Sequence, residues 1–126
     1  MNADALSLIE DASLNASAPP QQRWLDGWLV RFSPGKAQRA RSINAVAAGR
    51  LPIAAKLAMA ESVYREAELP MLVRITPFSQ PPQLDAHLEL QGWAQHDPTL
   101  VMVCQTLNGL AAPSPPADCT WQVLSH

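Results

Sequence analysis

The stretch "AAGRLPIAAKLAMAESVYREAELPMLVRITP", residues 47–77, decides how this chain is read. Ile53, Leu57, Ala60, Tyr64 and Ala67 recur at steps of four and three, which lines one face of an α-helix with apolar side chains. Pro52 suits the first helical turn, where a missing N–H breaks no hydrogen bond, and Pro70 closes the segment. Residues 71–77 then change character: apart from Arg74 they are apolar on both faces, as a strand covered on two sides must be.

Working outward toward the C-terminus, the break "PFSQPPQ" (77–83) leads to "LDAHLELQGW" (84–93). There Leu84, Leu88 and Gln91 share one helical face, and Gly92 suits the left-handed position just past a helix end. A final strand is expected over about residues 99–107, followed by a Pro-rich linker and an incomplete apolar segment over 108–126. Toward the N-terminus, residues 27–33 alternate Trp28, Val30 and Phe32 against Leu29, Arg31 and Ser33, the period of a half-buried strand. Pro34-Gly35 is its turn signal, and residues 38–46 are expected to return as the second strand of a hairpin. Leu6, Ile9 and Leu14 fall near one face of an opening helix, with Asp4 as its expected N-cap and Pro19-Pro20 as its stop. The order is helix, hairpin, helix, strand, helix, strand. It predicts an α/β (α+β) fold, one domain over residues 1–107, with a mixed central sheet flanked by helices and a right-handed strand–helix–strand crossover.

At 126 residues, with 48% hydrophobic and 16% charged residues and a formal charge of −2, the chain is large enough for one core and carries no global bias toward nucleic acid or membrane. Lys36, Arg39, Arg41 and Arg50 make the hairpin locally basic, but no interleaved aromatics or reading helix accompany them, so no nucleic-acid partner is expected. Apolar runs such as residues 100–104 are far too short to span a bilayer. The N-terminus lacks a signal-peptide layout, and Cys104 and Cys119 have no metal-type spacing, which together predict a cytoplasmic protein with free thiols. His87, His96 and His126 likewise lack ligand spacing, so no metal is expected. "SPGKA" (33–37) contains Gly-Lys without the rest of a phosphate loop and reads as a turn.

The block over residues 49–103 resembles the carboxyl-terminal half of a GNAT-superfamily N-acetyltransferase fold: a long helix, a buried strand, and a second helix ending in Gly-aromatic before "LVMV". "LDGWLVRF" (25–32), "RARSIN" (39–44) and "RITPFS" (74–79) are similar to segments in the amino-terminal half of longer, two-part GNAT-family proteins. The resemblance implies an acetyl-CoA-dependent N-acetyltransferase, in which a substrate amine attacks the thioester directly, or the amino-terminal half of one. It places acetyl-CoA at the loop before the long helix, where close-approaching glycines let backbone N–H groups hold a pyrophosphate. Gly49 and Arg50 match that loop's glycine and cation; its second glycine is missing and Pro52 removes a donor. The position of the family's usual general acid, four residues before the Gly-aromatic pair, is Leu88, which cannot donate a proton. Neighbouring His87 reads as a solvated helix residue and Tyr64 as a core residue with its hydroxyl at the rim. A scaffold with this degenerate loop looks like an amino-terminal half whose partner, a second GNAT half or a second copy in a homodimer, completes it.

An alternative of a different class is a non-catalytic GNAT-like module that binds a small anion or a partner protein. Arg31, Arg39, Arg41 and Arg74 lie on expected strands, and a guanidinium grips carboxylate or phosphate in a two-pronged fork. Arg31, Arg39 and Arg74 with Asn44 are the anion-binding candidates, Ser42 sharing the side of Asn44 by the period-two rule. The competing reading pairs these arginines with Asp26, Asp85 and Asp97.

Overall fold

A computed structural model describes residues 1–111 and 113–125. The fold is α+β, with three α-helices around a four-stranded mixed sheet among the described residues. Helix α1 spans Ala3–Ala16, β1 Gln22–Leu25, β2 Trp28–Arg31, β3 Ile43–Asn44, α2 Ile53–Glu66, β4 Val73–Arg74 and α3 Leu84–Leu90, with a 3-10 helix at Gln38–Arg41. The strands lie in sequence order, β1 to β2 to β3 antiparallel and β3 to β4 parallel.

The hairpin is built differently from the sequence expectation. Its tight turn is Asp26-Gly27, both with positive φ (44° and 85°), which joins β1 to β2 with Leu25 opposite Trp28. Asp-Gly between two apolar runs is a strong two-residue hairpin signal, because both central positions need the left-handed region. Residues 38–41, expected as strand, coil into the 3-10 helix, and only Ile43–Asn44 pairs with β2. The parallel crossover is therefore β3–α2–β4, rather than the unit expected around α3.

Strand β2 is buried at all four positions instead of alternating, because it is an inner strand with a helix on each face. On one face Trp28 and Val30 join Ile43, Ala60, Val63 and Tyr64, with Leu84 and Leu88 from α3. Trp28 is fully buried and its indole N–H donates to the Gln80 carbonyl at 2.8 Å, so its removal would forfeit about 3–5 kcal/mol. The α2 stripe read from the sequence faces this core: Ala60 and Tyr64 are buried, with Ile53 and Leu57 packed against it. The opposite face carries Leu29 and Arg31 from β2, Asn44 from β3 and Arg74 from β4, and it meets α1. The N-cap of α1 is Asn2, whose side chain accepts from the Ala5 N–H at 2.9 Å, and not Asp4.

Gly92 ends α3 at φ 82°, as expected of a left-handed helix end, and the Trp93 N–H returns to the Leu88 carbonyl, with Trp93 packed against the core edge. Gln91, expected on the buried face, is exposed. The expected strand at 99–107 is not formed: those residues are irregular, with Leu100 93% and Met102 92% exposed. The other edge of β4 consequently has no neighbouring strand among the described residues.

Candidate functional site

The loop entering α2 contains Gly49 and Arg50, the residues matched to the cofactor loop. Two of its backbone donors, the Arg50 and Leu51 amides, are already engaged. The Asp26 carboxylate accepts from the Arg50 N–H at 2.9 Å and the Leu51 N–H at 2.8 Å. These amides pull the carboxyl of Asp26 below its ordinary value of 3.8, Leu51 first and Arg50 second, with Lys56 adding to them against the opposing effect of burial. Gly49 takes φ 69°, and a Cβ there would collide with both the backbone and the carboxylate of Asp26. The Arg50 and Leu51 amides, which an anion at this loop would need, thus hold an internal carboxylate.

Behind it lies a feature missed in the sequence, the fully buried Lys56. Its ammonium donates to the Ala48 carbonyl at 2.6 Å, lies 3.4 Å from Asp26 and sits over the Trp28 ring, 4.5 Å from the centroid. A buried ammonium requires such partners. The apolar period of α2 concealed it, since position 56 sits between Ala60 and Val63 on the helical wheel, at the side of the stripe read from Ile53, Leu57, Ala60 and Tyr64, with no residue type to mark it as inward.

The arginines converge on the face beneath α1. Arg31 is buried, and its guanidinium donates to the Leu14 carbonyl at 2.6 Å, to Gln22 Oε1 at 3.1 Å and to the Ser17 carbonyl at 3.5 Å. Leu14 belongs to the last turn of α1, whose carbonyls have no partner within the helix and attract cations. Arg39 is exposed and donates to Ser13 Oγ at 3.1 Å. Arg74 forms a two-pronged ion pair with Glu10 of α1. The aspartates named as partners are elsewhere: Asp26 at the α2 loop and Asp97 accepting from Gln38, while Asp85 makes no ion pair with these arginines. Asn44 stands opposite both Leu29 and Arg74; its amide donates to the Ser42 carbonyl at 3.2 Å and its Oδ1 has no partner.

Leu88 is buried in the core, where it can perform no proton transfer, and His87 on the same short helix is half-buried. Tyr64 is not at a rim: its hydroxyl is buried and donates to the Arg31 carbonyl at 2.6 Å, and burial pushes its ionisation well above the ordinary value of 10. Cys104 and Cys119 are unpaired and exposed. Among the described residues no three His, Cys, Asp or Glu side chains gather as a metal set; His126 lies outside the described residues. No helix among them is long and apolar enough to cross a membrane.

Compared with known proteins, the chain matches no family model, no curated protein and no solved structure, so the resemblance to N-acetyltransferases rests on the quoted residues alone.

Proposed function

We propose that this chain is a GNAT-related module that supplies scaffold and binding surface without a cofactor grip of its own, corresponding to the amino-terminal half of a two-part N-acetyltransferase. The observation that carries this reading is the Asp26 carboxylate seated on the Arg50 and Leu51 amides. A pyrophosphate brought to those donors would meet a negative charge already hydrogen-bonded to them, and Coulomb repulsion at that range opposes binding. Gly49 and Arg50 therefore do not fit acetyl-CoA in the conformation described, and no proton donor stands at Leu88. In this reading acetyl-CoA belongs to the second half, and the present chain contributes surface to it.

A partner is favoured by a separate observation. Val73 and Arg74 of β4 line a cleft of about 1350 Å³, bounded also by residues 94–101 and Val103; Leu100 in its wall and Met102 beside it in the chain are almost fully exposed. Unpaired strand edges and uncovered apolar side chains invite a further chain, here a second copy or a separately encoded second half. The exposed thiols of Cys104 and Cys119 favour a reducing compartment, hence the cytoplasm.

Isothermal calorimetry with acetyl-CoA tests the reading. The chain alone is expected to give no binding heat at millimolar cofactor, and Asp26→Asn, which removes the internal charge, is expected to give at most weak heat. Saturable binding by the unaltered chain overturns the proposal.

A further inference from the structure

The face beneath α1 carries more positive charge and more hydrogen-bonding capacity than the helix satisfies. Arg31, Arg39 and Arg74 lie close enough that the latter two, after burial itself, lower the basicity of Arg31. Among the described residues, Glu10 is the one carboxylate in contact with any of the three. Asp11 lines the same small cavity without an ion pair. That cavity, about 60 Å³, lies between α1 and the sheet and is lined by Glu10, Asp11, Asn44, Arg74, Thr76 and Ser79 among others. Of three buried polar atoms without a hydrogen-bond partner, the acceptor Asn44 Oδ1 belongs to a residue lining this cavity, while the donors Arg41 Nε and Ser42 Oγ belong to residues just before it in the chain that do not line it. Buried polar groups are rarely left so, because each forfeits the hydration it had in the unfolded chain.

The attachment of α1 is correspondingly polar. Leu14 is its one buried residue, Leu6 and Leu8 being exposed at 36% and 68%. What holds it is the Glu10 carboxylate on Arg74, the Leu14 and Ser17 carbonyls on Arg31, and Ser13 on Arg39. Each of these is an oxygen presented to a guanidinium, the same contact a free oxyanion would make.

We propose that this face is a small-oxyanion site and that α1 is its built-in occupant, with the Glu10 carboxylate standing where a phosphate or carboxylate of a ligand would sit on Arg74. Ligand and helix then compete. A ligand that binds only after α1 lifts is weakened by the fraction of time the helix is docked, and any change that loosens α1 raises apparent affinity.

The test is calorimetry on the full chain with inorganic phosphate and, in a separate arm, acetate. Glu10→Gln keeps the side-chain shape and removes the competing charge, so it is expected to bind phosphate at least ten-fold more tightly than the unaltered chain. Adding Arg74→Leu to Glu10→Gln should abolish the gain. A preference for acetate over phosphate would assign the site to carboxylates. A folded Glu10→Gln chain that binds neither anion more tightly than the unaltered chain, or one whose gain survives Arg74→Leu, overturns the proposal. Should Glu10→Gln fail to fold, hydrogen exchange on the unaltered chain decides. Saturating phosphate is expected to speed exchange of the amides of residues 3–16 while β2 stays protected, and unchanged or slower exchange there refutes competition.

Discussion

Asp26 and Arg50, distant in sequence, are joined by the Asp26 carboxylate accepting the Arg50 N–H at 2.9 Å with both oxygens. One side chain thereby ties the β1–β2 turn to the entry of α2 and neutralises the buried Lys56 behind it.

That arrangement fixes a pH dependence. The folded carboxyl of Asp26 lies below its unfolded value, so its stabilising contribution is fully present above about pH 4 and is lost as pH falls through the folded value. Denaturant unfolding followed from pH 6 to pH 2 should show stability falling in the acid range, and Asp26→Asn should be less stable at pH 6 with a flatter acid limb. An equally steep limb in the variant would assign the acid sensitivity to other carboxylates.

At the alkaline end the relevant group is Tyr64. Its folded ionisation is raised above the unfolded value near 10, so its contribution is intact below about pH 10 and declines as pH climbs toward the folded value. Tyr64→Phe removes the hydrogen bond to the Arg31 carbonyl and is expected to lose about 1 kcal/mol at neutral pH. It should also blunt the stability loss above pH 10, as read by circular dichroism during urea titration.

Two glycines with similar positive φ should respond unequally to alanine. Gly92, at φ 82°, has open space where a Cβ would go, so Gly92→Ala carries only the backbone penalty of about 1 kcal/mol. Gly49, at φ 69°, adds a collision with Asp26, and Gly49→Ala is expected to cost roughly 2 kcal/mol more than that. Thermal unfolding of the two variants side by side checks the order.

The free edge of β4 and the exposed Leu100 and Met102 predict association. Light scattering across a concentration series should show mass rising above 13.7 kDa, and Leu100→Lys with Met102→Lys should hold the chain at monomer mass. A concentration-independent monomer in the unaltered chain would remove the homodimer from consideration and leave the second half as the partner.

The amino-acid sequence by itself determined the elements that depend on neighbours within a few residues. The apolar stripe of α2, its bounding prolines and the Gly92 helix end are legible because helical period, missing N–H groups and left-handed φ are local properties. Asp26-Gly27 was equally local and marks the true hairpin turn, although the alternation of residues 27–33 drew the pairing toward Pro34-Gly35. Tertiary structure alone decided which charges turn inward. Nothing in the sequence says where the charges of Arg31, Lys56 and Asp26 point, because the partners they meet, the Leu14 carbonyl, the Ala48 carbonyl and the Arg50 and Leu51 amides, are backbone atoms that no residue type encodes. It also decided that residues 99–107 stay unpaired, since a strand needs a partner edge at the right place and an apolar run supplies only the willingness to pair. The candidate arginines were readable as cations, but their employer, the oxygen atoms of α1, became visible only when the helix was laid across the sheet.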